Sequence, residues 1–207
     1  MRRGWKGLLD AGLGDAKTRV LGVLLILLAI LGTLATRAFA NIETVFVASL
    51  LAGSLLGRWW TVLVPMAALS VLQPLEWGAN GGRFALDAIA GISFFVVSGY
   101  VFVGVLGRRM RPKVLLRVKS VALLTTISVP LTIAYDLWTA SGEWYFLTRP
   151  FGQSFVQMLE AQVPFTIYHL LSSLIFVPLF GSAFTFLQHH LAAAPAPEEA
   201  AREADAG

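Results

Sequence analysis

The sequence has no cysteine and few charged residues for its length. Asp, Glu, Lys and Arg together make up 14% of the 207 residues. Because a soluble domain carries about 25% charged residues, this chain lacks the side chains for a charged outer shell. The missing cysteines exclude disulfides, thiolate metal sites and cysteine nucleophiles. The composition therefore disfavours a water-soluble globule, and its apolar richness excludes disorder for most of the chain.

Apolar residues are abundant instead, at 57% of the chain with a mean hydropathy of +0.72. About 20 residues cross a bilayer, so the chain is long enough for six crossings with short loops. The apolar runs predict an all-α integral membrane protein, a bundle of six transmembrane helices within residues 20–191. A basic cytoplasmic segment (1–19) precedes the bundle, and a disordered acidic tail (192–207) follows it. The predicted spans are 20–36, 42–57, 59–75, 84–107, 114–138 and 162–187.

One predicted connection is long. Residues 139–161 join the fifth span to the sixth and contain aromatic and polar side chains. A short helix is expected over 153–160. The other connections between spans are predicted to be brief.

Lysine and arginine are distributed unevenly over the predicted loops. With both termini placed inside the cell, thirteen of the sixteen lie on the inner side, and Arg37, Arg83 and Arg149 lie outside. Positive residues concentrate on the cytoplasmic side of membrane proteins. The distribution therefore predicts cytoplasmic N and C termini in a multi-pass protein of the plasma membrane. The net charge of +4 then reflects topology and requires no nucleic-acid partner.

Polar and aromatic side chains gather at the predicted outer ends of the helices. Three ionisable ones, Asp87, Asp136 and His169, fall inside apolar spans. Such groups are costly in a membrane unless they face a cavity or a partner. We therefore expect His169 to pair with Asp87 or Asp136 at the floor of an outward-facing pocket with aromatic walls. The predicted substrate-binding residues are Arg37, Asn41, Glu43, Trp77, Asn80, Asp87, Asp136, Trp138, Trp144, Glu160 and His169.

Simpler interpretations of these residues stay open. Tryptophan and tyrosine are enriched at membrane interfaces in any case, and terminal acids can be solvated. Asp87 can stabilise a helix start, and Arg37 can snorkel to the interface. No catalytic, metal-binding or phosphate-binding motif occurs in the sequence, so we expect no cofactor and no metal.

Small residues recur at four-residue spacing in the second predicted span. The pairs are Ala48 and Ala52, Ser49 and Gly53, and Gly53 and Gly57. This spacing lets two helix backbones approach closely. It indicates either packing inside the bundle or a docking face for another membrane subunit.

Several segments resemble the substrate-binding S components of energy-coupling factor transporters. Segment 37–43 (Arg-Ala-Phe-Ala-Asn-Ile-Glu) stands where members have Arg-x-x-Phe followed by Asn. Segment 50–57 (Leu-Leu-Ala-Gly-Ser-Leu-Leu-Gly) is similar to their small-residue helix. Segments 135–138 (Tyr-Asp-Leu-Trp) and 164–172 (Pro-Phe-Thr-Ile-Tyr-His-Leu-Leu-Ser) resemble the fifth and sixth helices of that family. The resemblance extends over residues 20–186.

The resemblance implies a six-helix protein that binds a vitamin-like micronutrient from outside. Its partners would be a transmembrane coupling subunit and two cytosolic ATPase subunits, and the chain itself would carry no ATP site. The ligand would lie under the loops after helices 1, 3 and 5, here 37–43, 76–83 and 139–161. Some members dock through Ala-xxx-Ala on helix 1. The first span lacks that spacing, which Ala48 and Ala52 place on the second span instead.

We therefore expect a membrane-embedded substrate-capture subunit of an ATP-driven importer for a vitamin-like or heterocyclic small molecule, without enzymatic activity. The alternative is a non-transporting membrane scaffold or assembly subunit whose outer polar groups are structural. A third interpretation is a membrane enzyme that uses His169 with Asp87 or Asp136 as acid and base. The excess of acidic over basic residues at the outer ends favours a neutral or cationic ligand.

Overall fold

The computed structural model describes residues 13–38, 44–57, 59–79, 84–111 and 118–193. Within these ranges the chain forms helices and no β-strand. Asn41, Glu43, Asn80, most of the basic segment and nearly all of the acidic tail lie outside the described residues. The helices are α1 (Ala16–Ala35), α2 (Thr44–Leu51, continued by a π-helical turn over Ala52–Leu56), α3 (Trp60–Ala79), α4 (Leu86–Met110), α5 (Val118–Glu143) and α6 (Phe155–Ala193).

Five helical segments in the described part of the chain are long and apolar enough to cross a membrane. Large apolar side chains stand on their outward faces, and Leu31, Phe94 and Ile175 are 59–62% exposed. Surface of this kind is unfavourable in water, whereas lipid solvates it. The predicted all-helical fold is confirmed for the described residues, and five of its helical segments are suited to crossing a membrane. The five segments are Ala16–Ala35, Trp60–Ala79, Leu86–Met110, Lys119–Phe151 and Phe155–His190.

The short helix α2 occupies the centre of the bundle. The five long helices form a ring, because contacts run from α1 to α3, α4, α5 and α6 in turn and back to α1. α2 contacts α1, α3, α4 and α6, and every residue from Thr44 to Gly57 is buried. This enclosure explains why the α2 sequence is apolar on all sides.

Small residues let α2 and α4 approach at backbone distance. A Cβ atom on Gly53 would overlap the carbonyl oxygen of Gly104, and one on Gly107 would lie 2.6 Å from the carbonyl oxygen of Leu50. Ala48 and Ala52 have no exposed surface. The four-residue spacing of small residues therefore serves packing inside the bundle, and the docking-face interpretation of these residues is wrong.

The fifth and sixth helices are longer than predicted. α5 continues through a π-helical turn (Trp144–Thr148) and a 3₁₀ turn (Arg149–Phe151), and α6 begins at Phe155. The expected connection at 139–161 therefore shrinks to a tight turn, and the separate helix expected at 153–160 is the start of α6. The turn contains Gly152 at φ 82°, a left-handed conformation that glycine adopts without strain.

Local hydrogen bonds explain why this turn is so short. The Gln157 amide donates to Ser154 Oγ (3.2 Å), and the Ser154 amide donates to Gln157 Oε1 (2.9 Å). This reciprocal capping box starts a helix. The Trp144 indole N–H donates to the Gln153 carbonyl (2.9 Å) and ties the two helix ends together. With 39 residues, α6 is about 58 Å long, against a hydrocarbon thickness of about 30 Å.

The residue that caps the start of α1 should make the stability of the fold depend on pH. Asp15 caps the helix by accepting from the Thr18 amide (2.8 Å), and hydrogen bonds from the Thr18 side chain and amide lower the pKa of Asp15. A lowered folded-state pKa stabilises the fold above the ordinary Asp pKa of about 4, and this stabilisation disappears as pH falls through the folded value. Asp15→Ala should therefore cost about 1 kcal/mol at pH 7. Thermal unfolding of both proteins should show that difference shrinking toward pH 3; a constant difference would contradict the assignment.

Candidate functional site

A cavity of about 640 Å³ lies inside the ring, at the end where α1, α3 and α5 finish. All six helices contribute lining residues, and Val45 in the first turn of α2 is one of them. The Thr44 hydroxyl contacts the carbonyls of Leu28 and Ala29 at 3.2 and 3.1 Å, so α2 starts below the end of α1. Because the central helix begins at that level, the lumen above it stays open within the described chain.

Asp136 on α5 and His169 on α6 form a buried pair beside this cavity. His169 Nδ1 lies 2.7 Å from Asp136 Oδ1, and the two residues are 1% and 3% exposed. If Asp136 is ionised, its carboxylate can only accept, and the imidazole then donates from Nδ1. Two partners of His169 were predicted as alternatives, and the structure selects Asp136 over Asp87.

Aromatic rings from three helices hold the pair in place. Phe46 of α2 and Tyr135 of α5 meet the imidazole edge-on, with ring centroids 5.0 and 5.6 Å away. Tyr135 in turn packs on Tyr100 of α4, at 4.6 Å between centroids. The carbonyl of His169 also accepts from the Ser172 hydroxyl (2.9 Å). The pair is therefore fixed by the packing of the ring helices on the central one.

Three buried polar atoms on cavity-lining residues have no hydrogen-bond partner in the described chain. They are Trp77 Nε1, Asp136 Oδ2 and Thr148 Oγ1. Buried polar groups are almost always hydrogen-bonded, because an unmade bond costs about 1–3 kcal/mol. The indole nitrogen donates, the carboxylate oxygen accepts, and the hydroxyl does either. These atoms leave unused hydrogen-bonding capacity on residues of the cavity wall, which makes this cavity the candidate binding site.

The predicted binding residues divide into two groups around the cavity. Trp77 and Asp136 line it, and His169 lies directly behind Asp136. Asp87 was expected on the pocket floor but is exposed on the first turn of α4, outside the lining. Its carboxylate accepts from the Ala88 amide (2.9 Å), so it stabilises the positive end of the helix.

Four further predicted residues also lie outside the cavity lining. Trp138 is two positions after Asp136 and so points to another face of α5, where its indole N–H donates to Ser98 (2.9 Å). Trp144 closes the α5–α6 turn, as described above. Arg37 and Glu160 are exposed. These four residues are close in sequence to residues that line the cavity. Helical periodicity and the reversal of the chain at the α5–α6 turn nevertheless place their side chains elsewhere.

Other cavity residues were not selected from the sequence. Thr139 and Glu143 line the cavity one and two turns after Asp136, and Thr148, Gln153 and Gln162 follow. The spacing of Asp136, Thr139 and Glu143 places them on one helix face, and this signal is visible only if α5 extends past residue 138. Among the described residues, no group of three or more His, Asp or Glu could hold a metal ion.

Asp136 and Gln162 also line a second, smaller cavity of about 260 Å³ between α5 and α6. Ile133, Leu137 and Val163 line it too and are 41–54% exposed, so this cavity faces the apolar outside of the bundle. Asp136 therefore lies between the lumen of the ring and its membrane-facing surface.

Comparison with known proteins gives a family whose function is unknown. No curated protein and no solved structure matches the chain. One family, described as a family of unknown function, matches residues 15–196, which run from the Asp15 cap of α1 to just beyond α6. On that match over most of its length, the chain belongs to the DUF6580 family.

Proposed function

We propose that this chain is the membrane-embedded substrate-capture subunit of an ATP-driven importer and binds a vitamin-like or heterocyclic small molecule from the extracellular side. The observation that carries the proposal is the cavity with its three buried, unpartnered polar atoms. Its volume is within the range of about 300–1,000 Å³ that small-molecule sites have. Aromatic side chains and a few polar groups around such a space are typical of ligand recognition.

The position of the cavity supports capture from outside the cell. It lies at the end of the bundle where α1, α3 and α5 finish. The Lys and Arg count favours an external location for that end, with six membrane helices and both termini in the cytoplasm of a plasma-membrane protein. The S components of energy-coupling factor transporters hold their ligands under the loops after helices 1, 3 and 5. The ends of α1, α3 and α5 lead to the corresponding connections here, the last of which is the tight turn at Gly152.

Energy for import would come from partner proteins. The sequence contains no phosphate-binding glycine loop, so a transmembrane coupling subunit and two cytosolic ATPase subunits would complete the proposed transporter. Because α2 is enclosed by other helices, the coupling subunit would contact the outward faces of the ring helices.

Two tryptophans provide a matched test of the cavity. Trp77→Phe keeps an aromatic ring but removes the indole N–H on the cavity wall, whereas Trp138→Phe removes an N–H that donates to Ser98 outside it. Loss of one hydrogen bond of about 1 kcal/mol weakens binding about fivefold. Mass spectrometry of small molecules released from gently purified protein should show this loss for Trp77→Phe and none for Trp138→Phe. Equal retention by the two variants would contradict capture in this cavity.

The transporter assignment has its own test. The tagged full chain, isolated from its native membranes in a mild detergent, is expected to bring a coupling subunit and two ATPases with it. Retained small molecule without any ATPase would refute the importer while leaving the binding site intact. A stable complex with other membrane proteins, without ATPase and without small molecule, would favour the scaffold alternative.

A further inference from the structure

The charges on the cavity wall are of one sign. Asp136 and Glu143 both line the cavity, and no Lys or Arg is among its described lining residues. His169 contacts Asp136 from behind and can offset at most one of these two carboxylates. With the carboxylates ionised, the described wall therefore keeps an excess of negative charge whichever form the imidazole takes.

The described basic residues at this end are held away from the cavity. Arg149 stacks over the rings of Trp144 and Tyr145, 5.6 and 5.1 Å from their centroids, and is exposed at the tip of the α5–α6 hairpin. Arg37 is exposed just after α1. Neither lines the cavity, so neither neutralises its carboxylates from within.

The burial and the hydrogen bonding of Asp136 also indicate a ligand. The residue is 3% exposed, its Oδ1 is bound to His169, and its Oδ2 has no hydrogen-bond partner although it is buried beside the cavity. A carboxylate oxygen can only accept. The missing partner is therefore a donor or a positive charge. A solvated surface acid does not show this arrangement.

The remaining wall suits a flat, apolar cation. Trp77, Phe84, Tyr100, Tyr135 and Phe165 supply aromatic rings to the lining. Aromatic faces attract cations, more strongly when the cation is desolvated. Carboxylates and aromatic rings together favour an organic ammonium or a positively charged heterocycle over an inorganic ion, which would need a closed shell of oxygen ligands.

The geometry points to a monovalent organic cation with an aromatic or heteroaromatic ring as the ligand of this cavity, with its positive charge beside Asp136 and Glu143. This inference rests on the proposed capture function and names the chemical class that it serves. Neutral and anionic molecules of equal size should bind more weakly, because they leave the carboxylates without a counter-charge.

The test uses the purified full chain in lipid nanodiscs and three probes that each carry one phenyl ring. Benzyltrimethylammonium is cationic, benzyl alcohol is neutral and phenylacetate is anionic. Only the cation is expected to raise the melting temperature. Glu143→Gln should weaken its binding about tenfold, whereas Glu160→Gln, which changes an exposed carboxylate outside the cavity, should leave binding unchanged.

The possible outcomes distinguish failure of the cation inference from failure of the proposed capture function. If benzyl alcohol or phenylacetate stabilises the protein as well as the cation does, the cation inference is overturned and the cavity remains a binding site. Equal affinity of Glu143→Gln and Glu160→Gln for the cation would also overturn it. If none of the three probes stabilises the protein, the cation inference fails, and the mass spectrometry of retained molecules still decides the proposed function on its own.

Discussion

Replacing His169 by phenylalanine should lower the melting temperature of the purified protein by about 6–12 °C. The change leaves the Asp136 carboxylate buried without its donor, and breaking a buried pair in this way costs about 3 kcal/mol or more. For a chain of this size, each kcal/mol corresponds to about 2–4 °C. The change keeps an aromatic ring where Phe46 and Tyr135 contact the imidazole, so the loss reports the hydrogen bond and the charge more than the packing.

A double variant separates the structural role of the pair from its role in binding. In Asp136→Leu/His169→Phe both polar partners are gone, and replacing a buried pair by apolar residues is often neutral for stability. We expect the double variant to recover most of the melting temperature while retaining no small molecule. A double variant no more stable than the single one would contradict the expected rescue. Full stability with unchanged ligand retention would remove Asp136 from the site.

Gly53→Ala should be the second most damaging single change. The new methyl group would overlap the Gly104 carbonyl oxygen, which belongs to backbone and cannot rotate away, so α2 and α4 must separate. Overpacking of this kind costs about 1–3 kcal/mol, or roughly 2–12 °C in melting temperature. Separation of α2 from α4 would also disturb Phe46, which contacts His169, so ligand retention should fall with stability.

Gly78→Ala is the matched control for that change. Gly78 also lies in a helix, near the end of α3, but nothing is within 4 Å of the position that its Cβ would take. Alanine is favoured over glycine in helices by about 1 kcal/mol, so this variant should melt at the same temperature as the parent or slightly higher. Equal destabilisation of the two variants would mean that the close approach of α2 and α4 is not what Gly53 provides.

The placement of Asp136 and His169 shows which features of the site local sequence patterns can predict and which they cannot. Both residues are ionisable groups inside apolar runs. Because placing such a group in a membrane costs free energy, the sequence alone predicts that each has a partner. The choice between Asp87 and Asp136 depends on how α4, α5 and α6 are arranged in the ring. Asp87 and His169 are in suitable spans, but the exposed face of the first turn of α4 carries Asp87 away from the lumen.

In the α5–α6 hairpin, by contrast, composition predicts a loop where the structure has helix. Its aromatic and polar residues resemble a loop in composition, because the aliphatic run of α5 gives way to polar and aromatic side chains beyond residue 138. The capping box at Ser154 and Gln157 and the glycine at 152 are local signals that mark the true turn. Glu143, Thr148 and Gln153 enter the cavity wall only because the helical chain continues past residue 138 and turns tightly into α6.

The sequence by itself determines that this chain is helical and suited to a membrane, since composition and hydropathy run length depend on single residues and their neighbours. It also marks α2 as a helix of close contacts through its small residues. Only the tertiary structure decides that α2 is enclosed by a ring of five helices and that none of the described residues fills the lumen above it. Those features depend on which helices touch and at what level each one starts, and the residue pattern of a single helix specifies neither its partner nor its level.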